Sequence, residues 1–109
     1  MSAIININSY NISEFVKCNS EIYPDKPALL HPARMNYLEL QTEIDRYAHG
    51  LIEAGIHANT RTILMVSAGA EFYILTFALF RIGAIPVMID PGMGIKAMAA
   101  ALKGVKAEA

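Results

Sequence analysis

The clearest periodic pattern in the chain lies between Asn36 and Gly55. Apolar residues recur there at the spacing of one helical face, and most of the charged residues occupy the opposite face. Asn36 and Glu39 have the spacing of a capping box, and Gly55 suits the left-handed residue that often follows a helix. The pattern therefore predicts an amphipathic α-helix between these caps. Its apolar positions are Tyr37, Leu40, Ile44, Tyr47, Ala48 and Leu51.

A shorter helix and a strand are predicted before this segment. Asn11 and Glu14 are spaced as another capping box, and the apolar residues that follow predict one helical face. That face comprises Ile12, Phe15, Val16 and Ile22. Residues 24–27 hold two prolines and an aspartate and predict a turn. Residues 28–31 are a short strand candidate, which a proline ends.

The second half of the chain predicts a strand, a helix and another strand. Residues 62–66 are apolar on both faces, as in a central strand of a parallel sheet. Nearly every position in residues 70–82 is apolar, so this helix must be covered on more than one side. Gly83 ends the helix, and residues 84–89 resemble the next strand. The segment of about 61–90 is therefore predicted to form a right-handed βαβ unit.

A loop over residues 90–94 precedes a last predicted helix, which begins at Ile95. A parallel sheet with two covered faces needs more strands and helices than the chain supplies. We therefore expect an α/β fold in which residues 1–109 are an incomplete piece of a larger domain. Open sheet edges recruit other chains, so we expect a homo-oligomer, formed by exchange of helix 95–103 between copies.

Composition and charge exclude several classes of protein. The chain is 54% hydrophobic and 17% charged, with a formal net charge of −1, which is unlike a disordered, nucleic-acid-binding or anionic-membrane-binding protein. The apolar second half is too interrupted, by Glu71, Arg81 and Pro86 among others, for a membrane span. Cys18 is the single cysteine and the N-terminus has no signal-peptide pattern, which together favour a cytoplasmic location.

The strongest candidates for chemistry are the two strand-to-helix turns. Glycines at such turns can aim backbone amides at a phosphate, and both Ser67–Gly69 and the loop from Asp90 to Lys96 contain them. Neither matches a complete phosphate-binding fingerprint. The preferred interpretation is that Ser67 caps the following helix and that Asp90 belongs to a tight turn. A ribose-binding role for Asp90 remains an alternative.

No other group of residues predicts a reaction. His31, His49 and His57 share no metal-ligand spacing with each other or with Cys18. The six methionines are expected to fill gaps in the core. We therefore assign no catalytic, cofactor-binding or metal-binding residue from the sequence.

Three strings of residues, in register along the chain, resemble the motifs of one enzyme superfamily. Pro24-Asp25-Lys26-Pro27-Ala28-Leu29 is similar to an early "P-x-x-P-A-L/V" strand motif. Asn36-Tyr37-Leu38-Glu39-Leu40 resembles a first core motif "T/S-Y-x-E-L", with Asn in place of Thr or Ser. Residues 80–90 resemble a second core motif, "L-K-A-G-A-x-x-V-P-L-D". Together the strings resemble the adenylate-forming superfamily, which comprises acyl-CoA synthetases, peptide-synthetase adenylation domains and luciferase-type ligases.

A finer resemblance lies in residues 75–80 and 89–94. These strings are similar to a branch of fatty-acid CoA ligases and peptide synthases, related to the olefin β-lactone synthetases, in which "D-P-G-M-G" follows the second motif. The resemblance implies the N-terminal portion of a large ligase domain, with a partly parallel sheet and covering helices. It also implies an enzyme that joins a fatty or β-hydroxy acid to AMP, using ATP and Mg²⁺.

The family's catalytic parts have no match in this sequence. They are a phosphate loop, an aromatic-Thr-Glu motif, a ribose-binding Asp and a C-terminal Lys, so no residue role is carried over. The resemblance thus implies a piece that is inactive alone, binds no cofactor alone and has the remainder of its own polypeptide as partner. Two alternatives stay open: a self-contained α/β module with a ligand near Ser67 and Asp90, or an interaction fragment that uses the apolar helix 70–82.

Overall fold

A computed structural model of the chain describes residues 12–30, 34–67, 69–89, 92 and 94–105. Helices and strands follow one another through these residues in an α/β arrangement with two small sheets. β1 pairs with β2 antiparallel, and β3 pairs with β4 parallel. None of the helices in the described residues is long and apolar enough to span a membrane. The elements are α1 (Ser13–Ile22), β1 (Pro27–Leu29), β2 (Met35–Asn36), α2 (Tyr37–Glu53), β3 (Arg61–Leu64), α3 (Ala70–Arg81), β4 (Ile85–Met88) and α4 (Ile95–Val105).

The amphipathic helix α2 begins at the predicted capping box. The side chain of Asn36 accepts a hydrogen bond from the backbone N–H of Glu39 at 2.8 Å. The carboxylate of Glu39 accepts one in return from the backbone N–H of Asn36, at 2.9 Å. Both bonds satisfy amides that the first helical turn leaves without partners, so this prediction is confirmed.

The end of α2 is closed by a Schellman motif. The backbone N–H of Gly55 donates to the carbonyl of Ile52, and that of Ile56 donates to the carbonyl of Leu51, both at 3.0 Å. Gly55 has φ +95, a backbone conformation that glycine adopts without a steric penalty. The predicted role of Gly55 is therefore confirmed, and the chain turns sharply towards β3.

The first helix corrects two predictions. α1 begins at Ser13 without a side-chain cap, and Asn11, the predicted cap, lies outside the described residues. Val16 is buried as predicted. The other three positions of the predicted apolar face, Ile12, Phe15 and Ile22, are exposed.

The face of α1 that is buried carries small polar residues, Ser13, Asn19 and Ser20. Ser13 and Ser20 line a polar cleft together with Gln41 and Asp45 of α2 and Arg81 of α3, which accounts for polar side chains at these two positions. Periodicity of apolar residues alone could not reveal this cleft, because two other helices contribute to it.

A two-residue strand was not predicted. β2 directly precedes α2 and pairs with β1 in the register Pro27↔Asn36 and Leu29↔Met35. The predicted strand over residues 28–31 is thus present but begins at Pro27 and ends at Leu29, and His31 lies outside the described residues. A strand as short as β2 carries no alternation that periodicity could detect.

The predicted parallel strand pair is confirmed. β3 and β4 run side by side in register from Arg61↔Ile85 to Leu64↔Met88, with α3 between them in sequence. Gly83, with φ +78, turns the chain from α3 towards β4. Met88 on β4 is 52% exposed, which agrees with the expectation that the chain supplies too few elements to cover both faces of the sheet.

The start of α3 also differs from the prediction. Gly69, not Ser67, is the N-cap residue, and no side chain caps this end. The helix begins at Ala70, so Ser67 lies too far upstream to bond the first free amides. The proposed capping role of Ser67 is therefore wrong.

The core lies where α1, α2 and α3 meet. Ile44 is 0% exposed at its centre, and the partly buried Phe77 lies at the margin of the cluster rather than inside it. The predicted apolar helix 70–82 thus contributes Ile74 and Ala78, rather than Phe77, to the buried cluster. The buried cluster consists of Val16, Leu40, Ile44, Ala48, Ile74 and Ala78.

We expect the stability of the chain to depend on Ile44 far more than on its neighbour Glu43. Ile44→Ala should lower the free energy of unfolding by about 2–5 kcal/mol, because it leaves a cavity among three helices. Glu43→Ala should change it by less than about 1 kcal/mol, because Glu43 forms only a surface ion pair with Arg46. Chemical denaturation followed by circular dichroism measures both, and equal effects would show that Ile44 is not at the centre of the core.

Candidate functional site

The carboxyl ends of β3 and β4 are where the alternative of a self-contained α/β module places a ligand. Because the two strands are parallel, Ser67 and Gly69 after β3 lie at the same edge of the sheet as Ile89 after β4. The helices α3 and α4 both start at this edge. Asp90 lies outside the described residues, so the predicted proximity of Asp90 and Ser67 stays a prediction.

The glycines at this edge are not required by the local backbone. Gly69 has an extended φ of 172, which any residue adopts. A Cβ added there would meet only the carbonyl oxygen of Ser67, at 3.9 Å. A Cβ added at Gly94 would meet nothing within 4 Å. Open space therefore surrounds the Cβ positions of both glycines.

The described residues also lack the donor set that a metal needs. Across the described ranges, no three His, Cys, Asp or Glu side chains come close enough together to hold an ion. His57, in the turn before β3, has its Nδ1 3.1 Å from the carbonyl of Ala58 and 3.2 Å from the hydroxyl of Thr60. This turn leads into the amino end of β3, remote along the strand from Ser67. By themselves, these residues do not fit a site for Mg²⁺ and ATP.

Polar contacts join α2 to both ends of α3. Tyr47 donates a hydrogen bond from its hydroxyl to Glu71 in the first turn of α3, at 3.2 Å. Arg81 in the last turn of α3 pairs with Asp45, which also accepts from the Gln41 side-chain amide at 2.9 Å. An acidic residue at the start and a basic one at the end complement the helix dipole of α3. These contacts orient α3 against α2 but form no catalytic group.

Residues 17–109 match the family described as "AMP-binding enzyme". The chain belongs to the AMP-binding enzyme family. An α/β fold within the N-terminal subdomain of adenylation enzymes was expected from the sequence, and it is confirmed.

Individual relatives support the same assignment. An olefin beta-lactone synthetase from Stenotrophomonas maltophilia is 40% identical over 75 residues, which is 69% of this chain and 14% of the relative. A salicyl-AMP ligase / salicyl-S-ArCP synthetase from Mycobacterium tuberculosis is 43% identical over 58 residues, 53% of this chain and 10% of the relative. The chain thus spans only a small part of the length of these relatives.

The fold matches a solved structure closely. The N-terminal subdomain of NpsA from Klebsiella oxytoca has a TM-score of 0.83 and 20% sequence identity, covering 89% of this chain and 26% of that chain. At this identity the similarity establishes the fold alone. Within the AMP-binding family, this chain therefore has the architecture of about a quarter of such a subdomain.

The two core-motif strings lie at structural positions. The first contains the capping box of Asn36 and Glu39 at the start of α2. The second spans the end of α3, the turn at Gly83 and β4. The strings that identify the family thus lie where the ends of helices and strands are set.

The environment of the Tyr47 hydroxyl makes the stability of the chain depend on pH above about 10. Burial, and then the hydrogen bond to Glu71, raises the pKa of Tyr47 above its ordinary value of 10.0. The folded chain therefore holds this proton more tightly than the unfolded chain. The stabilisation is complete below the unfolded pKa and is lost as pH rises through the folded pKa.

We expect Tyr47→Phe to remove this part of the alkaline destabilisation. Urea unfolding at about pH 8 and about pH 11 should show a smaller loss of stability in the variant than in the natural chain. Glu71→Gln should reduce the effect without abolishing it, since burial is the largest single cause and the Glu71 carboxylate adds to it. An identical pH dependence in Tyr47→Phe and the natural chain would contradict this account.

Proposed function

We propose that the chain is part of an ATP-dependent ligase that activates a fatty or β-hydroxy acid as its acyl adenylate. The family match over residues 17–109 carries this proposal. The similarity to olefin beta-lactone synthetases over 75 residues favours this class of acid. Enzymes of the family use ATP, typically with Mg²⁺, and ATP supplies the AMP to which the carboxylate is joined.

In this proposal the chain contributes scaffold rather than catalytic groups. Its sequence has no match to the family's phosphate loop, aromatic-Thr-Glu motif, ribose-binding Asp or C-terminal Lys. The remainder of the polypeptide would bind the nucleotide and acid, so residues 1–109 are an incomplete piece of the AMP-binding domain. We place the enzyme in the cytoplasm, which the single cysteine, Cys18, supports.

An aryl acid is a second candidate substrate. The salicyl-AMP ligase is 43% identical to this chain, slightly above the olefin beta-lactone synthetase, although over a shorter stretch. The scaffold residues shared by these enzymes do not distinguish the two acids. A test of the proposal must therefore offer both aliphatic and aryl acids as substrates.

Adenylation activity tests the proposal in two steps. The chain alone should give background ATP–pyrophosphate exchange with fatty, β-hydroxy and aryl acids, because it lacks the catalytic motifs. A hybrid in which residues 17–109 replace the matching segment of the Stenotrophomonas synthetase should exchange well above background. The hybrid tests whether this chain builds the scaffold that the rest of such an enzyme needs.

A matched control for the hybrid is Gly83→Val. It places a side chain at φ +78 with a Cβ 3.4 Å from that of Ala58, so it should reduce exchange. Clear turnover by the 109-residue chain alone would overturn the scaffold role. A folded hybrid without exchange on any acid would overturn the ligase assignment.

We further propose that the isolated chain self-associates. Within the described residues β3 and β4 pair only with each other, which leaves an outer edge on each strand. Met88 on β4 is 52% exposed and Ile95 on α4 is 87% exposed. Exchange of helix 95–103 around the glycines at 92 and 94 would bury such surface between copies.

Light scattering at micromolar concentration should therefore report a dimer or larger species. Met88→Lys should shift it towards monomer by placing a charge on the sheet edge. Leu38→Lys, at an equally exposed position on α2, should not shift it. An 11.9 kDa monomer that binds no hydrophobic dye would contradict self-association.

A further inference from the structure

A groove of about 470 Å³ lies away from the carboxyl ends of the strands. It is enclosed by the second half of α2, the turn that leads to β3, and the end of α3. Its volume falls within the range of about 300–1,000 Å³ typical of small-molecule sites. The apolar part of its lining is formed by Ala48, Ile52, Ile56, Ala58 and Ile82.

The polar side chains that line this groove are two imidazoles and one guanidinium. They are His49 on α2, His57 in the turn and Arg81 at the end of α3, and no Asp or Glu lines the groove. Arg81 pairs through one nitrogen with Asp45, which lies outside the lining. A guanidinium has five N–H donors, so this ion pair does not exhaust its capacity.

The helix ends beside the groove do not present a row of unpaired carbonyls. At the end of α2, the carbonyls of Leu51 and Ile52 accept hydrogen bonds from the turn. At the end of α3, the carbonyls of Ala78 and Phe80 accept from Ile82 and Gly83. The negative ends of both helix dipoles are thereby partly offset, which lowers their repulsion of an anion.

We propose that this groove binds a small amphipathic anion. The apolar body would lie on Ile52, Ile56 and Ile82, and the acidic group would face the nitrogen side chains. The argument rests on the remaining N–H donors of Arg81, on the imidazole nitrogens of His49 and His57, and on a lining without carboxylates, which together suit an acid. His57 would use Nε2, because its Nδ1 already contacts Ala58 and Thr60. The proposal does not depend on the ligase activity, because the groove lies away from the carboxyl ends of the strands.

The test uses octanesulfonate, which stays charged across the accessible pH range, with the whole chain. Calorimetric titration should show saturable binding, with octanol and octylammonium weaker by about tenfold or more because they lack the anion. Amide chemical shifts should change at His49, Ile56 and His57. Equal binding of octanol, or no saturable binding, would overturn the proposal.

Two variants of α2 locate the site. Ile52 is 56% exposed and lines the groove, whereas Leu38 is 52% exposed on the same helix and does not. Ile52→Glu should weaken octanesulfonate binding by about tenfold or more, and Leu38→Glu should leave it unchanged. Equal losses in both variants would overturn the location. The double variant His49→Gln, His57→Gln should bind octanesulfonate less tightly, so the ratio of its affinities for octanesulfonate and octanol should fall. An unchanged ratio would overturn the role of the histidines.

A lipid surface could offer the same chemistry as a free acid. The natural chain should not cosediment with vesicles of phosphatidylglycerol, because the volume of the groove suits one small molecule. Sedimentation that Ile52→Glu abolishes would overturn the small-molecule proposal in favour of a membrane surface. Circular dichroism confirms that each variant is folded, and the chemical-shift map of the natural chain tests the site without any substitution.

Discussion

The packing of α2 against α3 is the contact on which the rest of the described chain depends. Ile44 and Ala78 are fully buried between these helices, and the small side chains of Ala48 and Ala78 let the helices approach closely. α1 completes the cluster through Val16, and β4 lies against α3. Loosening this apolar contact would release α1, whose buried Val16 belongs to the same cluster, and would disturb β4, which lies against α3.

Residues of the family motifs fix the ends of the helices that form this contact. Asn36 starts α2 at a defined point, and the left-handed turn at Gly83 brings the chain from α3 into β4. A side chain at Gly83 would be strained by its φ of +78 and would press on Ala58. Backbone geometry thus explains why Asn stands at position 36 and Gly at position 83, which membership of a motif alone does not. It also explains how a chain without the catalytic motifs can belong to an enzyme family.

Prediction from the sequence succeeded where the signal is local. The ends of α2 follow from Asn36 and Gly55, whose hydrogen bonds reach only a few residues along the chain. It failed for α1, where Ser13 is buried because α2 and α3 place polar groups beneath it. The groove beside α2 was also missed, since His49, His57 and Arg81 come from separate segments and share no sequence spacing. For the alternative ligand site near Ser67 and Asp90, the sequence predicted only which edge of the sheet would carry it.

The described chain contains two parts of different physical character. The helices α1, α2 and α3 share a core around Ile44, which is 0% exposed. β3 and β4 form a sheet of two strands, and such a pair is marginal in water without further packing. In NpsA, this fold accounts for 26% of a subdomain chain. The exposed apolar residues Met88 and Ile95 are therefore suited to contacts with groups outside the helical core. The stability of the two-stranded sheet should depend on such contacts.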